Sequence, residues 1–558
     1  MISVDYSMPV NGLGTDFSEF ERPLTFAAVY TNRFRNINGG AERRPGMSAD
    51  FGQISGNPNL TRLHEWVSDQ GDDTLLSSDD FGNIYKYNVS SWNTALTGKA
   101  SVRLISAQAE DKLIFCNGVD RNFFTDDGGV TFEELKAYIT RGVTAGGTNT
   151  TTLIDGDISN WIGATLVANN DIVYNVTRNG YGIVSTIASA SLTHTTIGTG
   201  GNGAGLTASN QTSGDQYQLI DYVDLNVIPQ ANGSNDNVGT ATAGTTTTVI
   251  AVSGVNFQNT EIRTGDFIYN TTRSALGIVG SVSANVNLQQ TITGQTTGDA
   301  LAFFKSAMPI AAWVHVHYGR VYYLDSRNNR NVIISAPDDP QDLTTYQKTL
   351  STTSFSFGTQ QPAGDTILSM ASFQSYFVAA GQKNIFIYNG NTPIQDTSQT
   401  DIDFSPVATY PYGSVSRFCT ITNGANFLYT TENGLQAIGI GNISNTTLQN
   451  NVSTPIRQEI SNLISQTQPN DLQLTFYPSK AWLINKVGDQ CFILNNNPVY
   501  NEAGQLVINQ AWHLFTGKWA QQNHYFVRRD GSLIACGPNG WYSKYSQYLS
   551  PEDHFQSY

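Results

Sequence analysis

Short apolar runs joined in pairs by tight polar turns recur along this sequence and leave few folds open to it. Gly319–Asp325 leads through a polar turn at Arg327–Arg330 to Asn331–Ser335. Tyr376–Ala380 is followed in the same way by Asn384–Tyr388, Asn426–Tyr429 by Leu435–Ile438, Ala481–Ile484 by Gln490–Leu494, and Asn523–Val527 by Ser532–Ala535. Nearer the start, Asn83–Tyr87 alternates, Lys112–Cys116 is stopped by Asn117-Gly118, and Asn122–Phe132 reads as strand, turn and strand. Each linker carries Gly, Asn or Asp, as antiparallel hairpins need. The pairs return about every 40–60 residues, the repeat length of propeller blades. The expected fold is all-β, a β-propeller of about six or seven blades.

Composition agrees. Only 13% of the 558 residues are charged, and 45 acidic against 30 basic side chains leave a net charge of −15. Asn, Thr, Ser, Gln and 51 Gly must therefore cover the surface, a set poor in helix formers. One segment departs from the strand pattern. Thr454–Ile464 has a Thr in the cap position, Pro455 at the first helical position, and apolar residues at 456, 460, 463 and 464, which predicts a single amphipathic helix. No apolar run approaches the ~18–20 residues of a membrane span. Met1–Tyr6 has neither a basic nor an apolar region, so no signal peptide is expected. Cys116, Cys419, Cys491 and Cys536 are far apart and form no C-x-x-C, which reads as free buried thiols.

The stretch 144–304 differs from its flanks: it is rich in Thr, Gly and Asn and nearly free of Lys. It also holds a duplication. Asp171–Val184 aligns without gaps to Asp266–Val279, with Asp, Tyr, Asn, Thr, Arg, Gly, Ile and Val in common. Thr-rich strands precede each copy (Thr150–Ile154, Thr246–Ile250), and a turn ending in Gly-Asp follows each (Asp215, Asp299). Two tandem small β-domains, 144–240 and 241–304, are expected as an insertion in one loop of the propeller, whose parts are 1–143 and 305–558. Paired insertions on a rigid scaffold usually make contacts, since loops carry function.

Few residues suggest chemistry. Thr125–Phe132 (TDDGGVTF) and, more loosely, Ser78–Tyr85 (SDDFGNIY) resemble the Asp-box hairpins of sialidase-like propellers. There an Asp bonds nearby backbone N–H groups and a Gly accepts positive φ, so Asp80, Gly82, Asp127 and Gly129 are read as structural turns. The paired carboxylates Asp72-Asp73, Asp126-Asp127 and Asp338-Asp339 sit in turn contexts, and neighbours on a strand point to opposite faces. His315 and His317 share a strand face at a spacing that could ligate a metal, but no third ligand is in obvious register, and hydrogen-bonded strand histidines are the simpler reading. No catalytic residue, metal site or cofactor is assigned, and the chain is not expected to be an enzyme.

Asn32–Gly46 gathers Arg33, Arg35, Arg43 and Arg44 around an Asn-Gly-Gly turn. Arg is the residue of choice for interface ion pairs, so these four mark an expected subunit-contact arm. The pattern N-x-x-G-G-x-x-x-R-P-G over Asn36–Gly46 resembles the start of tail hub or nozzle proteins of short-tailed bacteriophages, the group of packaged-DNA-stabilisation and tubular-tail proteins. Gly434–Ile438 after a hairpin, the helix start Ser453–Ile456 and a terminal part rich in Trp and Tyr (Trp512, Trp519, Trp541) are also similar to that set. The resemblance spans 1–143 and 305–558, not the duplicated insert.

The resemblance implies a structural virion protein. Such chains form a ring, usually of six copies, below the portal and its adaptors. The ring retains packaged DNA and conducts it at ejection. Implied partners are further copies of the chain in a hexameric ring, portal and adaptor proteins, other tail proteins, and double-stranded DNA passing without sequence reading. The implied location is the virion tail, after synthesis in the host cytoplasm. An acidic wall that does not grip phosphate suits this role, because basic lumens hold DNA through counterion release. Two rivals remain: a carbohydrate-binding or glycan-cleaving propeller, and a receptor-binding tail module carried by the inserts.

Overall fold

The computed structural model describes three strands near the N-terminus, Arg33–Arg35, Ala41–Arg43 and Gly46–Ser48, and most of residues 52–546. Outside the described residues lie 1–32, 547–558 and internal stretches, the longest being 200–210, 344–354, 359–364, 390–404 and 440–449.

Seven four-stranded antiparallel sheets span 60–96, 105–134, 311–358, 367–411, 420–451, 472–515 and 524–546. The last becomes four-stranded only through Gly46–Ser48, which pairs with Lys544–Ser546. The first strands of these sheets are Leu60–Val67, Ile105–Ala109, Ala311–His317, Ile367–Phe373, Thr420–Thr422, Leu472–Tyr477 and His524–Val527. They neighbour one another in that order, and the last returns to the first. This closed circuit is a β-propeller of seven blades, and its N-terminal strand ties the seventh to the start of the chain.

One apolar cluster lies between each pair of adjacent blades. Trp66, Leu76 and Phe115 join blades 1 and 2; Ile387, Tyr410 and Phe427 join blades 4 and 5; Leu63, Ile534 and Tyr542 close blade 7 onto blade 1. The second and third strands of a blade are covered on both faces, so they read as unbroken apolar runs, as in Tyr376–Gly381 and Asn384–Asn389.

First strands belong to separate sheets and present an unpaired backbone edge towards the axis. Polar side chains from neighbouring blades satisfy it. Gln108 bridges both the N–H and the C=O of Val67. Gln473 accepts from the Tyr525 N–H at 3.0 Å and donates to its C=O at 2.9 Å. His524 Nδ1 accepts from the Leu63 N–H at 3.1 Å, and Asn122 Oδ1 from the Ala311 N–H at 3.0 Å.

The expected helix is present as a 3-10 turn, Thr454–Ile456, running into an α-helix, Arg457–Gln466. Ile456, Ile460 and Ile464 are buried between blades 5 and 6. Thr454 does not cap it: its hydroxyl donates back to the Asn451 C=O at 2.8 Å.

Between blades 2 and 3 the chain builds two further sheets, spanning Tyr138–Ile220 and Tyr222–Ser306. Strand pairing thus puts their junction at residue 221, not at 240/241, and starts the first sheet at Tyr138, before residue 144. The second sheet recruits Tyr222–Asp224 and Val238–Thr240, which both pair with Ala300–Ser306 far along the chain. Composition cannot register such a partner. Each sheet has its own core. A third cluster sets Tyr174, Ile183 and Ile220 of the first against Phe267, Leu276 and Ile278 of the second, so the two pack as one unit.

Candidate functional site at the propeller axis and the insert junction

Arg103 immediately precedes Leu104 and the first strand of blade 2, and its guanidinium reaches across the axis. Nη1 donates to the Asn470 C=O at 3.0 Å and Nη2 to the Asn523 C=O at 3.3 Å, just before the first strands of blades 6 and 7. From the opposite side comes Phe418 of blade 5, its ring centroid 3.9 Å from the Arg103 guanidinium carbon and 5.5 Å from that of Arg62. Such stacking is a favourable use of a partly desolvated cation. Arg417 donates to the Ala312 C=O at 3.3 Å. Arg103 and Phe418 thus occupy this end of the axis. His64 is buried beside it, hydrogen-bonded to Ser106 Oγ at 2.7 Å and Ser78 Oγ at 3.2 Å. Burial, and then the charges of Arg62 and Arg103, push His64 and His524 well below the usual imidazole value, so both are neutral.

The second inserted sheet is fastened to the propeller at Asp266. Arg327 of blade 3 donates to its two carboxylate oxygens at 3.2 and 2.9 Å, and Arg121 of blade 2 to Oδ1 at 3.1 Å. Asp266 is 1% exposed and the two guanidinium side chains are 16% and 8% exposed, so the charges are paired away from water. The first inserted sheet is held by Tyr138, whose hydroxyl donates to Asp339 and whose N–H donates to the Gln341 C=O at 3.2 Å. A crevice of about 800 Å³ runs between blade 2 and this sheet, with Glu133, Glu134, Lys136, Arg141 and Tyr174 in its walls. Lys136 Nζ lies 4.3 Å from the Tyr174 ring centroid.

The duplicated segment carries the same polar network twice. Arg178 Nε donates to Asp215 at 3.2 and 3.0 Å, and Arg273 Nε to Asp299 at 3.2 and 3.0 Å. Asn175 and Asn270 donate to the same carboxylates at 3.1 and 2.9 Å. The Arg273 guanidinium beside Asp299 holds its carboxyl at about 2. In each copy the network ties the turn after the first duplicated strand to the turn before the last strand of the sheet.

Of the expected Asp-box residues, Asp127 accepts from the N–H groups of Val130 and Thr131 and from the hydroxyls of Thr125 and Thr131, at 2.6–3.0 Å. Gly129 has φ +80° and donates to Thr125 Oγ1 at 2.8 Å. In the looser copy the turn is held by Asp79 and not by Asp80. Asp79 is fully buried and accepts from the N–H groups of Phe81 and Asn83, both at 2.9 Å, and from the Tyr85 hydroxyl at 2.8 Å. Spacing favoured Asp80, but the register Leu60–Asp79 turns Asp79 inward, leaving Asp80 to Asn59 at 3.0 Å. Gly82 has φ +79°, and a Cβ there would meet the Lys99 C=O.

Burial alone would raise the Asp127 carboxyl, but the Thr131, Thr125 and Val130 hydrogen bonds outweigh it and hold it at about 2. Its unfolded value is near the ordinary ~3.9, so its contribution to stability is complete above that pH and vanishes as pH falls through about 2. Urea midpoints of wild type and Asp127→Asn between pH 5 and 2 should therefore converge on acidification. A difference that stays constant with pH would refute this role.

His315 Nε2 and His317 Nδ1 both bond Ser372 Oγ, each at 2.7 Å, across the boundary between blades 3 and 4. Burial, then the neighbouring His317, pushes His315 down to about 3. Among the described residues no group of three or more His, Cys, Asp or Glu could hold a metal ion. The four cysteines are buried thiols and form no disulfide.

The expected contact arm contains a hairpin in which Arg33–Arg35 pairs with Ala41–Arg43, Arg33 opposite Arg43. It lies beside Ala511–Phe515, the outer strand of blade 6. Arg44 falls outside the described residues. Sequence reasoning missed Arg62, Arg103, Asp79 and the Arg121–Asp266–Arg327 clamp. Only Asp266 left a signal, as one of the identical positions of the duplication.

No protein-family model and no curated protein matches the sequence. Among solved structures, the chain is similar to other β-propellers. It shares 8% identity with the WD40 propeller domain of Doa1, over 91% of this chain and 100% of that one, at a TM-score of 0.33. It shares 9% with BamB from Moraxella catarrhalis, over 87% and 99%, at 0.32. With Kluyveromyces lactis Hsv2 it shares 9%, over 83% and 98%, at 0.26. The assignment of the fold rests on the closed strand circuit.

Proposed function

We propose that the chain is a structural subunit of a short phage tail, the nozzle or hub, which assembles with further copies into a ring, retains packaged DNA and conducts it at ejection. The observation that carries this reading is where the N-terminal segment goes. The Asn36–Gly46 pattern that resembles phage hub proteins contains Ala41–Arg43, the second strand of a hairpin beside the outer strand of blade 6, and runs on into Gly46–Ser48, the strand that closes blade 7. A rim position suits a contact with a neighbouring copy, and a ring makes each such contact heterologous. The backbone register sets Arg33 opposite Arg43, and an acidic copy of net charge −15 suits contact with an arginine-rich segment. Arg103 and Phe418 at the axis direct DNA to a passage enclosed by the ring of subunits, not through one propeller.

Electron microscopy of the purified chain, alone and with portal and adaptor proteins, tests this: ring-shaped assemblies and presence of the chain in virions are expected. A chain monomeric in every mixture and missing from virions would overturn it. Replacing residues 138–306 by a short Gly/Ser linker separates the roles of body and insert. A nozzle still forms rings, whereas a receptor-binding module assembles but loses host adsorption.

A further inference from the structure

Arg62, Arg103 and Arg417 gather at one end of the propeller axis, and among the described residues no carboxylate forms an ion pair with any of them. Arg62 stacks on Phe418 and donates no hydrogen bond to a described residue, and Arg103 Nε is buried without a partner. We propose that this end of the axis binds a small tetrahedral oxyanion of the phosphate or sulfate type, held between the guanidiniums of Arg62 and Arg103 beside the Phe418 ring.

Five arginines elsewhere in the fold are paired with acids. Arg178, Arg273, Arg121, Arg327 and Arg528 each face a carboxylate within 3.4 Å. Arg62 and Arg103 instead face each other's charge, and Asp471 acts on Arg103 more weakly than Arg62 does. Two neighbouring like charges in a partly desolvated site repel, and a shared anion removes that repulsion. Guanidinium N–H forks match oxyanions in geometry as well as charge.

The cradle is also pre-organised. The Asn470 and Asn523 carbonyls pin the terminal nitrogens of Arg103. The Phe418 backbone is held from both sides: its C=O accepts from the Leu474 N–H at 3.0 Å and its N–H donates to Ser416 Oγ at 3.2 Å. The two histidines beside the cluster are already committed: His64 to Ser106 and Ser78, and His524 as acceptor of the Leu63 N–H. The proposal concerns a property of the single propeller and stands apart from the proposed role in a tail.

Titration calorimetry of the full chain with inorganic phosphate, against potassium chloride at matched ionic strength, tests it. Saturable binding is expected, weakened at least tenfold in Arg62→Gln and several-fold in Arg62→Lys, which keeps the charge and loses the planar fork. Arg263→Gln, in the second insert, should bind as wild type. Unfolding scans in chloride confirm that each variant is folded. Non-saturable heats shared by all variants would mean only a general salt effect. That outcome, unchanged affinity in Arg62→Gln, or displacement of phosphate by a duplex oligonucleotide would each overturn the assignment of a free-ion site.

Discussion

Asp266→Ala should cost about 3–5 kcal/mol of unfolding free energy, the range for removing one partner of a buried ion pair. The size follows from what is left behind. Asp266 neutralises two guanidiniums at once and also accepts from the Arg263 N–H at 2.7 Å. With the carboxylate gone, Arg121 and Arg327 stay buried with no neutralising partner at that position, and the Arg263 backbone N–H loses the carboxylate oxygen that accepts from it. The second insert should also become accessible to protease at its junction with the propeller, because the clamp is its ionic tie to blades 2 and 3. A companion variant separates charge from contact. Replacing Arg121 and Arg327 by Met as well as Asp266 by Ala should recover most of the loss, since an apolar replacement of a buried ionic group is often neutral or better. Urea denaturation with limited proteolysis measures both. A loss under about 1 kcal/mol would place the clamp among ordinary surface ion pairs.

Removing residues 1–50 should lower stability by about 2–4 kcal/mol, through roughly 1 kcal/mol for each lost backbone hydrogen bond plus the exposure of a strand edge. The lost pairs are Gly46 with Ser546, Met47 with Tyr545 and Ser48 with Lys544. Blade 7 would then end in the bare edge of Tyr542–Ser546, an invitation to pair with another chain. The ring would lose the strand that links its first and last parts, leaving the direct contacts of blades 7 and 1 to hold it shut: the cluster of Leu63, Ile534 and Tyr542, the Leu63 N–H to His524 bond and the Arg528–Glu65 ion pair. The expected readings are a lower urea midpoint and concentration-dependent association beyond that of the intact chain. A peptide covering residues 41–51, added in trans, should restore the midpoint. A truncated chain with an unchanged midpoint would show that the closing strand contributes nothing.

How much of this was legible depended on where each strand lies in its blade. In blades 3 to 6 the hairpins read from sequence are the second and third strands, which neighbouring blades cover on both faces and which are therefore almost wholly apolar. The first strands were not joined to these hairpins in the sequence because polar side chains such as Gln108 and Gln473, which satisfy open strand edges, break an apolar pattern. In blade 7 the legible pair is the first and second strand, His524–Val527 and Leu533–Cys536, because the fourth strand is supplied by Gly46–Ser48 from the other end of the chain. At Asp79 and Asp80 spacing chose the wrong neighbour, since one residue of register decides which side chain points inward.

By itself the sequence determined an all-β chain of repeated hairpins, a duplicated insertion and a low-charge, acidic surface. These are local matters of turn residues, alternation and composition. Tertiary structure alone decided that there are seven blades, that the duplicated units meet at residue 221 and pack as one, and that Asp266 is clamped by Arg121 and Arg327. It alone brought Arg62, Arg103 and Phe418 together at the axis. Each of these joins residues far apart in the chain, whose partners are chosen by strand register and by which charges are shut away from water together.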